Sequence, residues 1–409
     1  MASRSARRTG KLPSLDERLT HTMVAHPLLF VLLALSALWL RGQGPQVAEK
    51  AAIFDHAQAA FLKHDYSAAE AAFREVLRLD PHSVAALSNL GVVYIREQKF
   101  GDAIQTLTKA QKLDPALPGI TLNLGLAYYE SQDFARAVPE FLRVLHAQTG
   151  NYQARYLLGL SYFLEDEYKD ALQTLKPLAS REEQDLDFLF ILGICYGKSK
   201  QVEASQKTFD QMLLVGGDTA HIHLLMGKAY VDLFENQNAI SELERAITLD
   251  PHLGFAHYNL GVVYQRMGRF DLADKEFQTE ITLTPHEPWS YENRGEIRLD
   301  QGHPELAVGF FQEALVRNSH LPESLAGMGR AYVQVGQAGR AIPYLRQALA
   351  IEPNNAGFHY QLGQAYLKSG QREEAVKEFA LAEKLQAASR NKQAEALSGK
   401  LPLPPVPQP

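Results

Sequence analysis

A strict 34-residue period is the feature that most constrains how this chain can fold. From residue 50 to residue 389, ten segments of that length follow one another without insertion or deletion. The eighth position is glycine in nine segments, the eleventh is tyrosine in eight, and the twentieth is alanine in nine. The twenty-fourth is always phenylalanine or leucine. Such self-similarity predicts a stack of small repeated units instead of one globular core.

The spacing within each segment predicts two antiparallel helices. Positions 4, 7, 8 and 11 share one face of a first helix, and positions 20, 24 and 27 share one face of a second. A glycine inside a helix costs about 1 kcal/mol relative to alanine. Its repetition at position 8 therefore indicates that the two helices of a repeat approach closely there. We expect an all-α fold.

This pattern resembles the tetratricopeptide repeat family. Gly-x-x-Tyr, Ala-x-x-x-Phe and a closing proline, as at Asp80-Pro81 and Asp250-Pro251, recur at the 34-residue step over 340 of the 409 residues. The resemblance implies a right-handed α-α superhelical solenoid whose first helices line a concave groove. It also implies that the groove binds extended peptides or partner helices and that the chain performs no chemistry itself.

The two ends of the chain differ from the repeats. The stretch Leu28 to Leu40 is apolar and uncharged, follows a basic segment, and is stopped by Arg41. We expect a transmembrane anchor or a signal sequence; a hydrophobic helix of the fold is a third alternative. The predicted organisation is 1–22 basic segment, 23–41 anchor or signal, 42–49 linker, 50–389 ten repeats, 390–400 capping extension of the last helix, and 401–409 Pro-rich disordered tail.

The orientation of this segment predicts where the repeats lie. Basic residues stay on the cytoplasmic side of a membrane segment. We therefore expect a single-pass membrane protein with its repeats on the non-cytoplasmic side, periplasmic or extracytoplasmic. If the segment is cleaved, the protein is instead exported and soluble.

Composition and motifs argue against catalysis, metal binding and nucleic-acid binding. The 41 basic and 47 acidic residues give no basic footprint. A single cysteine, Cys195, rules out a multi-cysteine metal site, and His221 and His223 lie on different faces of a helix. Neither a phosphate-binding Gly-x-x-x-x-Gly-Lys-Ser/Thr nor a Gly-x-Ser-x-Gly nucleophile motif occurs. We predict no catalytic, cofactor or metal site and no small-molecule substrate.

Two sets of first-helix residues are candidates for binding a partner. Position 6 carries asparagine in two adjacent pairs, and an amide can both donate to and accept from a peptide backbone. Positions 5, 9 and 12 form an apolar wall in the first half of the chain, although such a stripe also serves packing between repeats. The predicted groove residues are Asn89, Asn123, Asn259, Asn293, Leu122, Leu126, Tyr129, Tyr156, Phe190 and Tyr258.

The second half of the chain carries charges at the corresponding positions. Arg266, Glu296 and Arg330 are examples. We expect either that the two halves bind different features of a partner or that the first half is occupied by another chain. The eighth repeat also carries Arg294 and Arg298 where leucine and tyrosine are usual. These arginines are either satisfied by ion pairs within the stack or form a local recognition patch.

The sequence as a whole predicts a non-enzymatic scaffold that binds protein or peptide partners from a membrane anchor. Two alternatives remain. One is a soluble adaptor exported after signal cleavage. The other is a regulatory subunit that presents substrates to a separate enzyme such as a glycosyltransferase.

Overall fold

The computed structural model describes the backbone of residues 45–398 and the side chains of residues 48–390. The predicted basic segment 1–22, the membrane or signal segment 23–41 and the tail 401–409 lie outside those residues. Within the described part of the chain, none of the helices has the length and apolar character needed to cross a bilayer.

The described residues contain twenty α-helices, arranged as ten consecutive pairs, and no strand. They divide into two compact units, with the boundary between Gln211 and Met212. Repeats one to five contain α1 (Pro45–Leu62), α2 (Tyr66–Leu79), α3 (Val84–Arg96), α4 (Phe100–Leu113), α5 (Pro118–Glu130), α6 (Phe134–Ala147), α7 (Tyr152–Leu164), α8 (Tyr168–Leu175), α9 (Leu186–Lys198) and α10 (Val202–Gly216).

Repeats six to ten follow with the same order of first and second helices. They contain α11 (Ala220–Asp232), α12 (Asn236–Leu249), α13 (Ala256–Arg266), α14 (Phe270–Leu283), α15 (Trp289–Asp300), α16 (Pro304–Arg317), α17 (Pro322–Gln334), α18 (Ala338–Ile351), α19 (Ala356–Lys368) and α20 (Arg372–Ser398). The all-α prediction is confirmed. Helix α1 begins at Pro45, inside the predicted 42–49 linker, and α20 continues past residue 389 to Ser398.

The close approach predicted at position 8 is present within each unit. A Cβ atom added to Gly91 would lie 2.4 Å from Cγ of Leu107, and one added to Gly261 would lie 2.7 Å from the Phe277 ring. Both distances are shorter than real Cβ contacts. The residue at position 24 therefore occupies the space that the missing Cβ leaves, and the helix-interior glycines are explained by packing.

Two repeats depart from the regular pattern. Helix α8 of repeat four ends at Leu175, and Pro177 lies in a short 3-10 helix, Lys176–Leu178, that follows it. Proline removes a helical hydrogen bond and clashes with the preceding turn, which accounts for the early end of α8. Helix α13 of repeat seven begins only at Ala256, because Phe255 adopts the left-handed conformation with φ of +70°.

Candidate functional site

The apolar wall predicted for repeats two to six is largely buried, both in the first unit and at Leu224 of repeat six. Tyr156 stacks on Phe188 of the next repeat at a ring-centroid distance of 6.1 Å, and only 2% of Phe190 is exposed. The expectation that this wall is exposed is not met, because consecutive first helices pack against each other through it. Leu122, Leu126 and Tyr129, like Tyr258 in the second unit, are also buried. A role for these residues in binding stays a prediction.

The four predicted asparagines have different environments. Asn89, Asn123 and Asn259 are buried, whereas Asn293 is half-buried. Asn259 Nδ2 donates to the carbonyl of Phe255 at 2.6 Å, and Asn293 Nδ2 donates to the carbonyl of Trp289 at 2.9 Å. Among the described residues, Asn259 Oδ1 has no hydrogen-bond partner. Their use by a peptide stays a prediction.

A buried glutamate holds the start of the first helix of repeat seven. Glu280 lies where most repeats of the second unit carry alanine, and it is 1% exposed. Its carboxylate accepts from the backbone N–H groups of Phe255 at 2.7 Å and Tyr258 at 3.1 Å, and from Thr284 Oγ1 at 2.9 Å. A carboxylate at a helix N-terminus satisfies donors that the helix itself leaves unpaired. This contact keeps Phe255 in its left-handed conformation next to Asn259.

Charged side chains lie on the first helices of repeats eight and nine. Glu292 accepts from Ser324 Oγ at 2.5 Å, and Glu296 forms an ion pair with Arg330. Burial raises the pKa of Glu292 to about 7, and the negative charges of Glu296 and Glu323 act in the same direction. Glu292 therefore changes charge near neutral pH.

The arginines of repeat eight are satisfied within the second unit. The carboxylate of Asp274 accepts hydrogen bonds from Arg294 Nε and Arg298 Nη2, each at 2.8 Å. The Arg294 guanidinium also lies 4.4 Å from the centroid of the Phe310 ring. The ion-pair interpretation of these residues is confirmed. Where other repeats have leucine and tyrosine, the two arginines therefore make ion pairs with Asp274 and pack against the Phe310 ring.

A recurring histidine–glutamate pair was missed by the sequence analysis. In repeats six, seven and ten, a histidine at position 4 contacts a glutamate at position 23, with Nδ1 to Oε2 distances of 2.6 Å. The signal is visible in the sequence as the joint occurrence of His and Glu at these two positions. The pairs are His223–Glu242, His257–Glu276 and His359–Glu378.

The remaining candidate side chains show no arrangement for chemistry in the described part of the chain. Cys195 is buried, and burial raises the pKa of its thiol. His223 has both ring nitrogens next to carboxylates, with Nε2 at 2.7 Å from Asp218. No group of three or more metal-ligating side chains occurs within the described residues.

Family models of the tetratricopeptide repeat match residues 54–118, 122–181, 227–268, 256–286 and 333–401, which together are more than half of the chain. The chain belongs to the tetratricopeptide repeat family. No sequence match to a curated protein is found. This tetratricopeptide chain has the architecture of a protein-interaction scaffold.

Three solved structures that are similar to this chain are distant from it in sequence. The Cut9 and Hcn1 hetero-tetramer of the APC/C is 14% identical, covering 82% of this chain and 93% of that chain at a TM-score of 0.44. Yeast Tom70 is 17% identical, covering 86% and 96% at 0.40. A tetratricopeptide repeat protein from Parabacteroides merdae ATCC 43184 is 18% identical, covering 69% and 99% at 0.43.

Proposed function

We propose that this chain is a non-enzymatic scaffold that binds an extended segment of a partner protein on the first helices of repeats seven and eight. The observation that carries the proposal is the amide pair Asn259 and Asn293, one repeat apart. Asn259 Oδ1 lacks a partner among the described residues, and Asn293, at the same position of the next repeat, is half-buried. A buried polar atom without a partner is costly, and the half-buried Asn293 is the member of the pair that the backbone of a bound peptide can reach.

The surroundings of this amide pair support an extended ligand with apolar side chains. Phe255 and Trp289 occupy position 2 of consecutive repeats, and both are only half-buried. Aromatic side chains are favoured in protein interfaces because they provide a large contact area at a small entropic cost.

We further propose that the scaffold acts outside the cytoplasm. The support is the sequence of residues 1–41, in which basic residues precede the apolar stretch. The anchored form would hold the repeats close to the bilayer. The exported, soluble adaptor and the substrate-presenting subunit of a separate enzyme are the alternatives. Mass measurement of the purified protein's N-terminus distinguishes the anchored form from the cleaved form.

Site-specific photo-crosslinking in the native host tests the binding site. A photoreactive amino acid is placed at Asn293 and, as a matched control, at the exposed Gln312 on a second helix of the same repeat. We expect one predominant crosslinked partner at position 293 that is absent at position 312. The crosslinked residues of the partner should form a single extended segment. Equal labelling at both positions would refute the proposed site.

A further inference from the structure

A cleft between repeats four and five lies away from the first-helix site described above. It has a volume of about 280 Å³ and is lined by Lys169, Leu172, Gln173, Lys176, Ser199 and Gln201. The first four residues follow one face of α8 and the turn after it, and the last two belong to the turn between α9 and α10. All of them lie in the first unit.

The cationic side chains of this cleft have no acidic partner among the described residues. Lys169 and Lys176 have no ion-pair or hydrogen-bond partner among the residues that the structure describes, and no carboxylate lines the cleft. The hydroxyl oxygen of Ser199 is buried and also lacks a partner there. Nearby acids are engaged elsewhere: Glu203 pairs with Lys207 at 3.2 Å, and Asp166 accepts from Tyr168 at 2.6 Å.

The equivalent position between repeats one and two holds a network of ion pairs instead. There Glu70 accepts from Lys99 at 2.8 Å and pairs with Arg74 at 2.7 Å, while Glu97 lies 3.1 Å from Lys99. The hydrogen bond from Lys99 is the main cause that lowers the pKa of Glu70. Two cations and two carboxylates therefore neutralise each other.

The sequence register identifies what has changed between the two places. Leu172 and Ser199 stand at the positions of Glu70 and Glu97, whereas Lys176 stands at the position of Arg74. Both carboxylates are thus lost and a cation is kept, with Lys169 adding a second. The cleft therefore differs from the site between repeats one and two in having two lysines and no carboxylate, with Gln201 at the position of Lys99.

We propose that this cleft binds a phosphoryl dianion, either as free phosphate or as a phosphate monoester. Its charge would pair with Lys169 and Lys176, which have no internal anion among the described residues. Lysine ammonium groups bind phosphate as point charges, and the amides of Gln173 and Gln201 and the hydroxyl of Ser199 supply neutral donors. This inference does not depend on the proposed peptide site.

Calorimetric titration of the full chain at pH 8 and constant ionic strength tests the proposal. The probes are inorganic phosphate and O-phosphoserine, with acetate as a monoanion control. We expect saturable binding of one equivalent of at least one phosphate probe and none of acetate. Tighter binding of O-phosphoserine identifies an esterified ligand, and tighter binding of inorganic phosphate identifies the free ion. Absence of saturable binding with both phosphate probes overturns the proposal.

Matched variants separate the cleft from general surface charge. The double variant Lys169→Gln, Lys176→Gln should weaken phosphate binding by at least about tenfold. The control Lys109→Gln, Lys112→Gln removes two exposed lysines with the same change in net charge and should leave affinity unchanged. Equal loss in both double variants would show that the effect is not specific to the cleft.

The equivalent place offers a gain-of-binding test that does not rely on a loss. The variant Glu70→Leu, Glu97→Ser removes the two internal carboxylates next to Arg74 and Lys99. We expect it to bind a second equivalent of the phosphate probe. Thermal unfolding confirms that each variant is folded. A folded variant that binds only one equivalent would contradict the argument that missing carboxylates create the site.

Discussion

The two compact units use the same 34-residue register with different chemistry on their first helices. At position 5 the first unit has buried aromatic side chains such as Tyr156 and Phe190, whereas the second combines the buried Tyr258 with Glu292 and the exposed Tyr360. At position 8 both units keep glycine against a large residue, as in Gly91–Leu107 and Gly295–Phe311. The contact within a repeat is thus fixed, and the contact between repeats is free to change from apolar to charged.

The turn between the two helices of a repeat shows a second difference. Position 15 has positive φ in every repeat, from +58° at Gln98 to +86° at Gly370. In the first unit all five of these residues carry a side chain, whereas four of the five in the second unit are glycine. The same backbone conformation is therefore strained in one unit and relaxed in most of the other.

The largest expected effect is at position 5. Phe190→Ala should lower the free energy of unfolding by about 3–5 kcal/mol, because the ring is buried and its removal leaves a cavity. Tyr360→Ala changes the same position in the last repeat, where 47% of the side chain is exposed. It should cost about 1 kcal/mol or less. Urea unfolding measures the loss in the free energy of unfolding for each variant. Similar losses would show that position 5 does not differ between the two units in this way.

The charged first helices of the second unit should respond to pH through Glu292. Its folded pKa of about 7 lies above the ordinary value of 4.5. The folded state therefore keeps the proton over a wider pH range than the unfolded state. The resulting contribution of Glu292 to the free energy of unfolding is fully present below about pH 4.5. It is lost as the pH rises to about 7, by up to about 3 kcal/mol.

Replacing Glu292 with glutamine tests this dependence. Glu292→Gln should stabilise the protein by about 1–3 kcal/mol at pH 8 and have little effect at pH 4. Urea unfolding at the two pH values measures both numbers. The exposed Glu305→Gln should show no such difference. A stabilisation of Glu292→Gln that is equal at pH 4 and pH 8 would contradict the assigned pKa.

Glu280 tests whether the irregular start of α13 depends on one side chain. Glu280→Ala restores the residue found at this position in neighbouring repeats, such as Ala246 and Ala314. It nevertheless should cost about 1–3 kcal/mol, because two backbone N–H groups lose their acceptor. Glu305→Ala should change stability by less than about 0.5 kcal/mol. If both variants unfold at the same urea concentration, Glu280 does not hold the helix start.

The sequence predicted the features that repeat and missed the features that occur once or a few times. The helix pairs and the contact of Gly91 with Leu107 follow from periodicity, because every repeat must satisfy the same packing. The capping role of Glu280 depends on how late α13 starts, which no period encodes. The burial of Phe190 depends on the adjacent first helix, so position on a helix face alone could not separate a binding surface from packing between repeats.

The smallest expected effect concerns the turn at position 15. Gln132 has φ of +60° and Gly302 has φ of +77°, and an added Cβ at Gly302 would meet no atom within 4 Å. Backbone strain is therefore the main difference between the two turns. Gln132→Gly should stabilise the first unit by about 0.5–1 kcal/mol, and Gly302→Ala should destabilise the second by about 1 kcal/mol. Urea unfolding of both variants measures the two changes. If Gln132→Gly destabilised the protein instead, the side chain of Gln132 would contribute more to stability than its strained backbone costs.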